Sequence, residues 1–456
     1  MFPLNVHSLA NIVGGRLLRG NAVAPINGAL YGRVKELRPG IAFFMQLSGR
    51  VQEQLTALHN ERCTVVVTTR AFVARMPQRC AVIAVGNPYE AFWRLVKWQR
   101  ARSSAFFIGI TGSAGKTTTK EMLASVLIRK YRTLKSYSNM NVFAYVPHHL
   151  LRLAPSHRMA VLEMGMGSFG NIRAQCRVVR PQMGIITNVG EAHAGNLGSS
   201  LAGVVKAKQE MVDGVVAGGT LLLNADDRGT QKLSTQSFRG TIIRYGIRKP
   251  AHVRATDVRY VQSGMAFTVG RTPFFIPSFG RHNVYNALAV IAAARQLGVP
   301  DNLIQHGLRH YERPYRRLQQ MRGIKQSLLI NDTYNANPTA AIQGLRVLNH
   351  VANGRPTVAV IGDMLVLGQL SQQGHRRVGK FIAKKKIGTL VTIGKQARQV
   401  AVGAQKKGMP AARIYSFETV RQAHNFLRQH MPQRTVVYFK ASHATGLNQL
   451  VTALRV

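Results

Sequence analysis

Apolar runs of four or five residues alternate along the chain with longer stretches whose apolar positions recur at helical spacing. In the first hundred residues, Thr64-Val65-Val66-Val67-Thr68 and Ala81-Val82-Ile83-Ala84-Val85 read as strands. A basic, aromatic stretch follows, carrying Trp93, Arg94, Lys97, Trp98, Arg100 and Arg102. Interleaved Trp and Arg can stack on nucleic-acid bases. The simpler expectation is a helix with its aromatics packed inward and its arginines solvated. Ala105-Phe106-Phe107-Ile108 then predicts a strand, and Met122/Val126 with Leu123/Leu127, paired at i,i+4, predict a helix over Thr118–Lys130. Ala160-Val161-Leu162, Gly184-Ile185-Ile186-Thr187 and Thr220-Leu221-Leu222-Leu223 continue the strand series. A third segment begins near Arg316, with Ser327-Leu328-Leu329-Ile330, Thr357-Val358-Ala359-Val360-Ile361, Thr389-Leu390-Val391-Thr392-Ile393 and Val436-Val437-Tyr438-Phe439. The alternation predicts an α/β protein with mainly parallel sheets and ligands outside the strand carboxyl ends. Three domains are expected: 1–100, 101–315 and 316–456.

Composition changes this picture in a few respects. With 456 residues, 46% of them hydrophobic, the chain can bury two or three cores. No apolar run reaches the roughly 18 residues needed to span a bilayer. Met1-Phe2-Pro3-Leu4-Asn5-Val6-His7 lacks the pattern of a signal peptide. Cys63, Cys80 and Cys176 form no CxxC and read as ordinary reduced thiols, so a cytoplasmic location is expected. Sixty-two Lys and Arg stand against 17 Asp and Glu, a net charge of +45 spread along the chain. That charge predicts nonspecific polyanion binding in dilute salt without implying a specific nucleic-acid partner. It also makes the few carboxylates at motif positions (Glu163, Glu210, Asp332, Asp363) stand out.

The chemistry starts after Ile108. Gly109, Gly112 and Gly115 precede Lys116 and Thr117, so Thr111-Gly112-Ser113-Ala114-Gly115-Lys116-Thr117-Thr118 reads as a phosphate-binding loop. Glycines let backbone N–H groups close around phosphate oxygens at the start of a helix whose dipole favours anions. Lys116 can reach the β- and γ-phosphates of ATP, and Thr117 can offer its hydroxyl to Mg²⁺. Ile110 stands where the strict GxxxxGK[ST] pattern has Gly, so the loop is a variant. Glu163, at the end of the strand Ala160–Leu162, is placed to hold Mg²⁺, and His193 follows the next strand in Asn188-Val189-Gly190-Glu191-Ala192-His193.

These segments resemble the central domain of the Mur ligase family, as do Glu163-Met164-Gly165 and Ala207-Lys208-Gln209-Glu210. Gly280-Arg281-His282-Asn283-Val284-Tyr285-Asn286-Ala287 resembles the family's HNxxN segment. Arg316-Arg317-Leu318-Gln319 and Asn331-Asp332-Thr333-Tyr334-Asn335-Ala336-Asn337-Pro338 resemble its junction with the C-terminal domain. The Tyr-Asn-Ala-Asn-Pro string, followed by Gly362-Asp363-Met364 and Gly368, is most similar to the branch that adds D-alanyl-D-alanine to a UDP-muramyl tripeptide. The resemblance implies a small N-terminal substrate domain, a central P-loop domain and a C-terminal Rossmann-like domain; a monomer is expected. It implies an ADP-forming ligase in which ATP phosphorylates a carboxylate and an amine attacks the acyl phosphate. Lys116, Glu163, His193 and Lys208 would be its catalytic groups. Thr117 and Glu163 would hold one Mg²⁺, His193 a second, and Lys208 would carry a carbamate at the metal sites. Asn283 would meet the adenine side, Arg317 and Asp332 would engage ATP across the junction, and Tyr334, Asn335 and Asn337 would line the amine site.

The first domain departs from the family. Its Asp-Ser-Arg and Asp-Gly-His stretches are replaced by Ala29-Leu30-Tyr31-Gly32-Arg33 and Ser48-Gly49-Arg50-Val51-Gln52-Glu53, leaving Arg33 as the expected contact to the sugar nucleotide. Val142 replaces one asparagine after Asn139-Met140-Asn141, Val366 stands where Glu is usual, and Lys440-Ala441-Ser442-His443 replaces Lys-Gly-Ser-Arg. A ligase joining a different carboxylate and amine therefore stands beside the first reading; the +45 charge adds a P-loop ATPase stimulated by nucleic acid, and a degenerate paralogue that binds nucleotide without catalysis is the last.

Overall fold

The computed structural model describes residues 1–456, which form two compact units. The first comprises Met1–Phe106 and Tyr131–Ala160. Its five-stranded sheet runs in the order Arg16–Arg19, Ala81–Ala84, Val65–Thr68, Ile41–Phe44, Gly28–Tyr31. Only the Arg16–Arg19 strand is antiparallel to its neighbour. The three middle strands are buried at every residue, as continuous Val/Ile/Phe runs in a parallel sheet should be. The basic aromatic stretch is the helix Pro88–Arg102, capped by the Asn87 side chain. Trp93 stacks on Phe143 at 4.9 Å while Arg94 and Lys97 are exposed, so its aromatics serve packing. All three cysteines are free thiols, and the Cys63 and Cys80 sulfurs lie 3.4 Å apart in one apolar cluster.

The second unit comprises Phe107–Lys130 and Val161–Val456. One sheet in it follows the order Thr272–Ile276, Gly264–Val269, Val253–Val261, Thr241–Gly246, Thr220–Asn224, Met183–Ile186, Phe106–Thr111, Met159–Glu163. The pairings from Phe106–Thr111 out to Val253–Val261 are parallel. Val253–Val261, Gly264–Val269 and Thr272–Ile276 form an antiparallel meander that the apolar pattern did not announce, because their residues alternate between buried and open faces. The other sheet has the order Gln319–Arg322, Leu328–Asn331, Val436–Lys440, Thr357–Gly362, Thr389–Ile393, Ile414–Phe417 and is parallel except at its first pair. Helices Pro338–Ala352, Ser371–Lys384 and Arg398–Gln405 share one apolar cluster with this sheet. Helices Val420–His430 and Asn448–Leu454 share another. That is the doubly wound arrangement expected of alternating strands and helices.

Element bounds shift slightly from the sequence expectation. The helix expected over Thr118–Lys130 spans Lys116–Leu127, so Lys116 itself opens it. Glu163 is the last residue of its strand. No helix is long and apolar enough to cross a membrane.

Candidate active site

Parallel pairing of Phe106–Thr111 with Met183–Ile186 brings two loops to the same sheet edge. Gly112 turns at φ +150°, and a Cβ there would lie 1.9 Å from Thr187 Oγ1. Gly115 turns at φ +85°, and its Cβ would lie 2.4 Å from Asn286 Oδ1. Only glycine fits this curl. The neighbouring loop then fastens it: Asn188 Oδ1 accepts from Ala114 N at 2.9 Å, and Thr187 Oγ1 donates to the Ala114 carbonyl at 2.6 Å. Ser113 Oγ donates to the Gly190 carbonyl and accepts from Gly190 N, both at 2.9 Å.

Lys116 Nζ donates to the Gly112 carbonyl at 2.8 Å, across the loop. Lys208, fully enclosed in the helix Leu201–Gly214, donates to Thr111 Oγ1 at 2.9 Å. Burial lowers the pKa of both lysines. For Lys208 the Lys116 cation deepens the shift, and Glu210 and Glu163 oppose it; for Lys116, Glu163 opposes it and Arg317 deepens it. His193 sits in the left-handed region at φ +64°. Burial, then the Lys116 and Lys208 charges, push its pKa down to about 4, so the imidazole is neutral at pH 7. Lys116, Glu163, His193 and Lys208 thus share one electrostatic neighbourhood. Glu210 also acts on Lys208, but its oxygens are occupied: they accept from Gly170 N and Arg173 N and cap the helix Asn171–Val179.

A cavity of about 360 Å³ opens beside the loop. Ala114, Gly115, Thr118, Asn283, Arg317 and Asp332 are among the residues that line it. Asn283 Nδ2 donates to the Phe279 carbonyl and its Oδ1 accepts from Asn286. Arg317 donates to Thr117 Oγ1 at 3.0 Å and lies 4.6 Å over the Tyr334 ring, joining the loop to the 331–338 segment. Asp332 is less available than expected, because its Oδ2 accepts from Lys440 at 2.6 Å and Tyr438 Oη at 3.0 Å. Asn335 is exposed, and its Oδ1 accepts from Ala336 N. Asn337, expected to line an amine site, is the buried N-cap of Pro338–Ala352, with Oδ1 accepting from Ala340 N. An Asn before Pro at a helix start satisfies backbone donors that would otherwise be orphaned. In the first unit, Arg33 pairs with Glu36 at 3.6 Å and lies over the Tyr145 ring.

Two groups here carried no signal of their own in the sequence. His282, partly buried, lines the cavity, and Tyr438 lies in an apolar strand run. His282 was legible only as the neighbour of Asn283.

The donor set fits Mg²⁺ in part. Thr117 and Glu163 offer oxygens and His193 an unprotonated nitrogen. Lys208 as an ammonium offers no lone pair, so it fits a metal site only after it loses a proton or its nitrogen carries an acid group.

A glycine curl at the head of a parallel sheet, with the half-buried Lys116, the buried Lys208, a carboxylate and a cavity facing a second α/β domain, defines a P-loop enzyme. Residues 110–294 match the Mur ligase middle domain, and residues 316–443 match the Mur ligase glutamate ligase domain. The UDP-N-acetylmuramoyl-tripeptide--D-alanyl-D-alanine ligase of Bacillus subtilis is 32% identical over 84% of this chain and 83% of its own. The Escherichia coli enzyme of the same name is 33% identical over 69% of this chain and 70% of its own. A crystal structure of MurF from Acinetobacter baumannii superposes with TM-score 0.86 at 28% identity, covering 99% of this chain and 98% of that one. The chain belongs to the Mur ligase family.

Proposed function

We propose that the chain is the ATP-dependent ligase that adds D-alanyl-D-alanine to a UDP-N-acetylmuramoyl tripeptide in peptidoglycan precursor synthesis. It would act as a cytoplasmic monomer whose like charges oppose self-association. What carries the reading is the gathering of Lys116, Glu163, His193 and Lys208 at one sheet edge, in a chain with 32% identity to a ligase of that activity.

In the reaction, a tripeptide carboxylate oxygen bonds the γ-phosphorus of ATP as the bond to ADP breaks. The amine of D-alanyl-D-alanine then attacks the acyl carbon, phosphate leaves, and the amine loses a proton. The curled backbone and Lys116 offset charge on the transferring phosphoryl group, where most such catalysis lies. Arg317, bonded to Thr117, brings a further cation from the C-terminal side. Thr117 and Glu163 would hold one Mg²⁺ and His193 a second, and these ions would supply positive charge to the phosphoryl transfer. Lys208 is assigned to carbamylation: its depressed pKa favours the free amine, which adds CO₂ and releases a proton. Asn283 faces the adenine side of the cavity, and Arg317 and Asp332 serve ATP. Tyr334 and Asn335 serve the amine, Asn337 shapes that segment by capping its helix, and Arg33 serves the sugar nucleotide.

A phosphate-release assay tests the reading. Release above background is expected only with ATP, the tripeptide and D-alanyl-D-alanine together, falling in CO₂-stripped buffer and recovering with bicarbonate. No turnover with that pair overturns the function, and indifference to bicarbonate removes the carbamate. Turnover with another carboxylate or amine alone would select the second ligase reading, which the altered residues at 29–33 and 48–53 favour.

A further inference from the structure

Two residues before His193, Glu191 closes a ring of hydrogen bonds with two residues of the 316–456 segment. Arg377, on the helix Ser371–Lys384, donates from Nη1 to Glu191 Oε1 at 2.6 Å. Thr339, on the helix Pro338–Ala352, donates from Oγ1 to Glu191 Oε2 at 2.9 Å and accepts from Arg377 Nη2 at 3.3 Å. The Glu191 side chain is only 21% exposed, so this pair is better shielded than an open surface bridge.

The ring does not stand alone. Further along the same loop, Gly195 N donates to the Val366 carbonyl at 3.2 Å, and Ser199 Oγ accepts from Gln369 N at 3.4 Å. On the other side, Gly190 exchanges two hydrogen bonds with Ser113 of the phosphate loop. A continuous path therefore runs from the phosphate loop through Gly190 and Glu191 to Arg377 and Thr339. Thr339 also lines the cavity.

We propose that Glu191, Thr339 and Arg377 are a positioning clamp that seats the C-terminal α/β domain on the His193 loop, and that ligase turnover requires it closed. None of the three touches reacting atoms. They act by fixing His193 and the phosphate loop relative to the segment at 331–338, since small misplacements of reacting groups are costly. The proposal rests on the ligase reading above.

The test uses the full-length protein. Arg377→Ala should lower kcat about tenfold, the size of a typical coupling between sites, and leave thermal stability nearly unchanged because the residue is half-exposed. Arg377→Lys, which keeps the charge but not the forked geometry, should fall between the two. Glu191→Arg alone should lose turnover as Arg377→Ala does, and combining it with Arg377→Glu should restore most of it. Amide exchange over residues 190–199, read without substrates, should quicken in Arg377→Ala. Wild-type turnover and exchange in Arg377→Ala, or a charge swap no better than its parents, overturns the clamp. Quickened exchange in a protein whose wild type is inactive overturns the ligase reading and leaves the clamp supported.

Discussion

Two buried lysines in the same unit meet burial in opposite ways. Lys440 ends the strand Val436–Lys440 and lies 2.6 Å from Asp332, whose same oxygen also accepts from Tyr438. Lys208 donates to a hydroxyl, and its charged neighbours include a second cation, Lys116. The first lysine is neutralised where it stands, and its partner carboxylate depends on it. The second, enclosed beside the Lys116 cation, is biased toward the free amine, with Glu210 and Glu163 only opposing that shift. A buried cation matched by a carboxylate is part of the framework; one set against another cation marks a place for an anion.

The widest gap between the two regions should come from Lys116→Ala. Phosphate release should fall by about 10³-fold, the order of effect seen on removing one preorganised charge-stabilising donor, with the circular dichroism spectrum unchanged. Retained turnover would break the assignment of the phosphate loop. Next in size is a contrast in urea unfolding. Lys440→Met should cost about 3 kcal/mol, because Asp332 is left buried without its cation, whereas Lys208→Met should be neutral or stabilising by about 1 kcal/mol. Equal destabilisation by both would erase the distinction drawn here.

The smallest effect concerns pH and His282, which stands in the fields of Asp332 and Lys440. Burial pushes its pKa down to about 4 from 6.5, Asp332 opposing and Lys440 adding to the shift. Between those values the unfolded chain binds more protons than the folded one, so stability falls as pH drops from about 6.5 to about 4. His282→Gln should flatten that part of the stability profile in thermal melts at stepped pH. An unchanged slope would place the histidine's titration elsewhere.

Much of the framework was legible locally. The strand before Gly112, the glycine curl and the helix opening at Lys116 follow from φ/ψ preferences and apolar spacing within a dozen residues. Asn337 shows the limit of that reading. Its place in an Asn-Pro string fits both a ligand contact and a helix cap, and the cap became visible only through the bond to Ala340 N. The antiparallel meander after Thr241–Gly246 escaped because half-buried alternation carries a weaker apolar signal than the buried parallel runs.

The sequence by itself determined the phosphate loop, the α/β alternation and the types of residue that mark the family, because these depend on short-range backbone preference and side-chain chemistry. Tertiary structure decided which charges meet. Lys208 reaches Thr111 across 97 positions of chain, Lys440 reaches Asp332 across 108, and Arg377 reaches Glu191 across 186. Whether a buried lysine is neutralised or set against another cation depends on how two sheets and their loops pack, and no local pattern encodes that distance.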